Sequence, residues 1–188
     1  MTASDLFPET AAAHDPGGKT LPMMPGMSGE ARFTGANDEH RLWLRRWWGR
    51  PPGGPYMLSI GMNPSTASHL VDDATIRRDI HFAQREGMDG FYKVNACSYR
   101  ATEPAELARQ GDNATHPENI NTIVRLAGGA KLILVCYGVL PKIMRHHGEA
   151  ALRALRQEGV PLYCLGKTAA GHPKHPLYLK GDTPLEKF

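Results

Sequence analysis

Asn63 stands where a short apolar run stops. The stretch Leu58-Ser59-Ile60-Gly61-Met62-Asn63-Pro64-Ser65-Thr66 reads as a strand ending at a glycine, followed by an amide and a proline. Proline fixes its own φ and restricts the residue before it. The pattern therefore places a polar side chain on a rigid turn at the carboxyl end of a strand. Such an amide can orient water through its carbonyl oxygen, but it cannot take a proton. A second polar stretch, Gly171-His172-Pro173-Lys174-His175-Pro176-Leu177, confines two imidazoles by two prolines, each histidine directly preceding one. Imidazole gains and loses a proton near neutral pH. Asn95 closes a further apolar run that begins at Phe91, and Asp72 and Asp73 precede a helical pattern.

Each of these residues also has a purely structural role open to it. Asn63 before proline can form an Asx-type turn. Asn95 can satisfy backbone groups at a strand end. Asp72 or Asp73 can cap a helix, and Asp73 can instead supply the carboxylate that Asn63 lacks. Arg77 and Arg78 fit a solvated helix face. His146 and His147 lack a third ligand, so no metal is expected, and no cofactor motif is present.

The elements that position these residues follow from hydrophobic period. Residues 1–36 carry Pro8, Pro16, Pro22 and Pro25 among glycines and methionines and show no period; they read as a disordered or surface-draped tail. Asn37 or Asp38 then caps an expected helix through about Trp48, with Leu42, Trp43, Leu44, Trp47 and Trp48 as its apolar face. Four strands are expected at Tyr56–Gly61, Phe91–Cys97, Lys131–Tyr137 and Val160–Leu165. Helices are expected between them, from Asp72 or Asp73 to Gly87, from Pro117 to Ala127 and from Leu140 to Glu158. The segment from Ser98 to Pro117 reads as a long polar loop. Alternation of this kind argues for a parallel sheet covered on both faces. All four strands then end on one edge, where open α/β sheets bind ligands. Asn63, Asn95, Tyr137 and the Gly166–His172 segment converge there.

The chain has 188 residues, 41% of them hydrophobic, and a net charge of +3. That length suits a single α/β domain, 37–188, beyond the tail. No apolar run is long enough to span a membrane, and no secretory signal pattern opens the chain. Cys97, Cys136 and Cys164 lie in apolar runs and read as reduced core thiols of a cytoplasmic protein. The modest positive charge permits a nucleic-acid partner.

Gly61-Met62-Asn63-Pro64-Ser65 resembles the first motif of the uracil-DNA glycosylase superfamily, in the form G-[IM]-N-P. Val94-Asn95 resembles its base-reading asparagine. Leu132 to Gly138 resembles its strand before the last long helix, and His172-Pro173-Lys174-His175-Pro176-Leu177 its histidine-proline motif. The broader pattern resembles a bacterial and phage family of domains of unknown function. It comprises Asn63 to Ala67, Asp73 to Arg78, Asn95 with Tyr99 to Thr102, and Gly171 to Tyr178. Well-known glycosylases place an aspartate where Asn63 stands, and either His172 or His175 matches the motif histidine.

The resemblance implies a three-layer α/β/α sandwich around a central four-stranded parallel sheet. It also implies metal-free hydrolysis of an N-glycosidic bond in DNA. Asn63 would orient water, with Asp73 as the available carboxylate. His172 or His175 would stabilise the departing base, and Asn95 would read it, with Gly61, Met62, Pro64 and Ser65 around it. Thr66, Arg77, Arg78, Arg100, Lys167 and Lys174 are the candidate phosphate contacts. The expected partner is DNA or another nucleic acid, or else a nucleotide, and the expected state is a monomer. A non-catalytic binding module and an enzyme of free nucleosides or nucleotides remain the alternatives.

Overall fold

The computed structural model describes residues 14–49 and 53–188. In chain order the strands are β1 (Leu21–Pro22), β2 (Ser28–Thr34), β3 (His40–Trp47), β4 (Tyr56–Gly61), β5 (Val71–Asp72), β6 (Gly90–Asn95), β7 (Leu132–Val135), β8 (Tyr163–Cys164) and β9 (Glu186–Lys187). The helices are α1 (Ala74–Arg85), α2 (Pro104–Arg109), α3 (Asn119–Ala127) and α4 (Arg145–Gln157). Seven strands form one mixed sheet in the order β2-β3-β6-β4-β7-β8-β9, while β1 and β5 pair separately.

The four strands expected from the sequence are mutually parallel at the centre: β4 pairs with β6 and β7, and β7 with β8. They run bare of charge except at Lys93, because both faces are covered. On one face Ile76, Ile80 and Ala83 of α1 pack on Met57, Phe91 and Leu134. On the other, Ile123 and Leu126 of α3 and Leu152 and Leu155 of α4 pack on Leu58, Ile60, Val94 and Ile133. Each fully buried valine, leucine, isoleucine, phenylalanine or methionine among them contributes about 1.5–3 kcal/mol.

The sheet is nevertheless not a four-stranded parallel one. Antiparallel β2 and β3 extend it beyond β6, and antiparallel β9 closes it beside β8. The expected helix over residues 37–48 is β3. Leu42 and Leu44 alternate with Arg41, Trp43 and Arg45, and tryptophan favours a pleated, half-buried surface. Gly35 and Asp38, whose φ values are +96° and +56°, form the bend between β2 and β3 rather than a helix cap. The tail expected over residues 1–36 supplies β2 and β1; its first thirteen residues lie outside the described ones. The alternation in Glu30-Ala31-Arg32-Phe33 is that of an edge strand, solvated on one side.

The long polar loop contains α2 and a 3-10 turn at Gly111–Ala114. The helix expected from Leu140 begins at Arg145, after a 3-10 turn at Lys142–Met144. The three cysteines are buried and free. Among the described residues no helix is long and apolar enough to cross a membrane.

Candidate functional site

The carboxyl ends of β4 and β6 are bound together beyond the sheet. Ala96 N donates to Gly61 O at 2.9 Å and Cys97 N to Met62 O at 2.8 Å. Asn63 continues this junction: its Nδ2 donates to Ala101 O at 2.7 Å and to Pro64 O at 2.9 Å. Both amide donations are spent on backbone, and Oδ1 takes no hydrogen bond from a described residue. The turn role and the acceptor role therefore coexist in one side chain.

Asn63 opens onto a cavity of about 290 Å³ that Asn95, Asp73 and His175 also line. These four residues come from four separate segments. Asn95 closes β6 and is 1% exposed; its Oδ1 accepts from Arg41 Nη2 at 3.3 Å. That contact turns the amide nitrogen away from Arg41. Asp73 caps α1, its Oδ1 accepting from Ile76 N at 2.8 Å, which leaves the second carboxylate oxygen for the cavity.

His175 precedes a 3-10 turn, Pro176–Tyr178, and its Nδ1 accepts from Leu177 N at 3.3 Å. Burial, and then the nearby Lys93 charge, push this imidazole below its ordinary pKa. The ring is therefore neutral at pH 7, with its proton on Nε2. His172 lies elsewhere, in the turn where its N–H donates to Thr168 Oγ1 at 3.1 Å. Of the two histidines, only His175 reaches the cavity.

The remaining nominated residues divide sharply. Gly61, Met62 and Ser65 line the cavity; Pro64 shapes its turn. Arg78 donates to Pro176 O at 3.3 Å and to Leu179 O at 2.5 Å, tying the His175 loop to α1. Arg77 pairs with the buried Asp72 at 2.7 Å. Arg100 lies over the Phe33 ring and donates to His14 O and Asp38 O. Lys167 donates to Lys187 O, and Thr66 to Lys19 O. Lys174 lines a neighbouring, mostly apolar cavity of about 420 Å³, which shares His175 and Tyr178 with the first.

Two charged cavity residues escape sequence reading. Lys93 is 3% exposed, with Nζ 2.8 Å from Asp79 Oδ2 and 3.0 Å from Ser59 Oγ. Burial opposes its charge, but Asp79 and then Cys136 outweigh that and hold its pKa above the ordinary value. Its sequence signal is a lone lysine within the apolar run Phe91–Asn95. Arg41 is 2% exposed at the start of β3 and carries no such signal, because its segment reads as a helix with a basic face. Gly61 makes room for both neighbours, since a Cβ there would lie 2.7 Å from Asn95 Nδ2 and 2.8 Å from Lys93 Cε.

The cavity thus offers an acceptor at Asn63, a carboxylate at Asp73, amide and imidazole donors at Asn95 and His175, and two buried cations. No group of three His, Cys, Asp or Glu side chains among the described residues is arranged to hold a metal ion. No curated protein and no solved structure matches the chain. The model of a family described as a protein of unknown function (DUF1643) matches residues 41–177, which include every residue named here as lining the cavity except Tyr178. By that match over most of its length, the chain belongs to the DUF1643 family.

Proposed function

We propose that the rim cavity recognises a nucleobase and hydrolyses its N-glycosidic bond, on a scaffold like the three-layer uracil-DNA glycosylases. The observation that carries this reading is the convergence of Asn63, Asp73, Asn95 and His175 on one cavity of about 290 Å³. Ligand pockets span about 300–1,000 Å³, so this space, at the foot of that range, calls for a small ligand such as one base with its sugar.

In this reading the C1′–N bond breaks and its electron pair leaves with the base. Positive charge builds on the sugar, where the free oxygen of Asp73 faces it. Asn63 Oδ1 accepts a hydrogen bond from the attacking water. The water oxygen bonds to C1′, and its proton ends on the departing base. Asn95 Nδ2 donates to a base acceptor, as flipped-base pockets require. His175 Nε2–H donates to the base oxygen that becomes anionic. A preorganised donor of this kind is worth about 3 kcal/mol. The free oxygen of Asp73 takes the water's proton on its way to the departing base, which Asn63, able to place water but not to deprotonate it, cannot do.

The test is base release from oligonucleotides carrying uracil, hydroxymethyluracil and other modified bases, and from the corresponding nucleosides and nucleotides. Release by the parent and its loss in Asn63→Ala are expected. No release from any substrate, with Asn63→Ala indistinguishable from the parent, would overturn the reading.

A second reading, an enzyme of free nucleosides or nucleotides, is favoured by one observation. Arg77, Arg78, Arg100 and Lys167 all bond within the chain, so they form no open track for a polynucleotide backbone. The nucleoside and nucleotide arms of the same assay separate the two.

A further inference from the structure

The buried cations of the domain are not treated alike. Arg46 is fully buried and has Asp72 at 2.8 Å. Lys93 has Asp79 at 2.8 Å. Arg41, just as deeply enclosed, has no carboxylate within ion-pair distance among the described residues. It donates from Nη1 to Ala67 O at 2.9 Å and from Nη2 to Asn95 Oδ1 at 3.3 Å. Its Nε has no partner among the described residues. A guanidinium carries five donors, so more than half of its capacity is unspent.

Leaving a buried charge unpaired is costly, and chains retain such groups chiefly where something else completes them. Burial pushes the Arg41 pKa down to about 10, which still leaves it charged at neutral pH. Arg41 lines the cavity, next to the amide that the nucleobase reading assigns to the base edge. Asp73 is the one carboxylate among the described lining residues, and its Oδ1 is engaged by the first turn of α1. The ligand's negative group therefore belongs against Arg41 and Asn95. Asp73, whose charge also reaches Arg41 without pairing with it, suits the sugar hydroxyls or cationic carbon.

We infer that Arg41 is the anchor for an anionic oxygen of the ligand, the partner that its surroundings withhold. The inference rests on the nucleobase reading for the ligand's orientation. Two groups share this chemistry: the phosphate of a nucleotide, and the oxyanion that develops on the departing base. Arginine suits either, since its planar fork matches a two-oxygen acceptor and is weakly hydrated. In the second case Arg41 joins His175 as an electrophile touching the reacting base.

The test is a binding titration of the whole chain with two matched pairs of probes. Uridine is compared with uridine 5′-monophosphate, and neutral thymine with 5-nitrouracil, whose ring the nitro group makes acidic enough to be anionic near neutral pH. In at least one pair the anionic probe should bind ten-fold or more tightly than its neutral counterpart. Arg41→Met should abolish that preference, and Arg41→Lys should keep part of it. Preference in the first pair identifies a phosphate, and in the second the base oxyanion. Equal binding within both pairs, or a preference that survives Arg41→Met, would overturn the inference. Should Arg41→Met not fold, an undiminished preference in Arg41→Lys together with inorganic phosphate failing to compete would overturn it equally. Absence of base release from every substrate would end the hydrolase reading and leave this anion preference to be judged by itself.

Discussion

A Cβ on Gly61 would lie 2.7 Å from Asn95 Nδ2. These two residues are register partners at the ends of the parallel strands β4 and β6. The glycine is thus what lets the Asn95 amide and the Lys93 stem lie across the end of the neighbouring strand. Gly61→Ala should push both aside, destabilising the protein by about 1–3 kcal/mol as overpacking does. It should also weaken ligand binding. Denaturant unfolding checks the first expectation and titration the second.

Lys93 and Asp79 form a buried pair with Ser59 as a shared neighbour. Removing one partner strands the other. Lys93→Met should cost about 3–5 kcal/mol, the range for breaking a buried pair. The double change Lys93→Met with Asp79→Leu should recover much of that loss. A double-mutant cycle by denaturant unfolding measures the coupling, and additive effects would contradict it.

The His175 pKa is lowered from 6.5 in the folded chain by burial and then by Lys93. The unfolded chain therefore binds more protons as pH falls through 6.5 and below. The contribution of this ring to stability is fully present above pH 6.5 and is lost as the solution is acidified towards the lower folded value. His40 and His147 shift in the same direction, both chiefly through burial. Melting temperature should fall on acidification below pH 6.5, and the fall should be shallower in His175→Gln.

Arg78 holds the His175 loop through two backbone carbonyls, at Pro176 and Leu179. Arg78→Ala should lower activity by releasing that loop, without changing the salt dependence of any nucleic-acid binding. A phosphate contact would instead reduce the slope of log K against log salt by about one. Binding measured over a salt series decides between the two roles.

Much of the framework is legible in the sequence, and the limits have physical causes. Leu132 to Val135 is buried on both faces and reads directly as a strand. An aspartate cap at Asp72 or Asp73 is legible because both precede the period of Ile76, Ile80 and Ala83, and the structure settles on Asp73. The segment from His40 to Trp47 is not, because arginines at 41 and 45 mimic the four-residue spacing of a helix face. Only its pairing with β2 and β6, contacts distant in sequence, decides the matter. Arg41 is hidden from sequence reading for that reason. The choice between His172 and His175 is equally tertiary: both sit beside prolines, and only the turn over Pro176–Tyr178 directs one ring into the cavity.

That choice supplies the most direct test of the account. Base release is measured on the substrate panel for the parent, His175→Ala and His172→Ala, with unfolding curves recorded for each. Release by the parent and a loss of about 10²–10³-fold in His175→Ala, the effect of removing one oxyanion donor, are expected. His172→Ala should keep the parent's rate. No release by the parent from any substrate, or equal losses in the two variants, would contradict it.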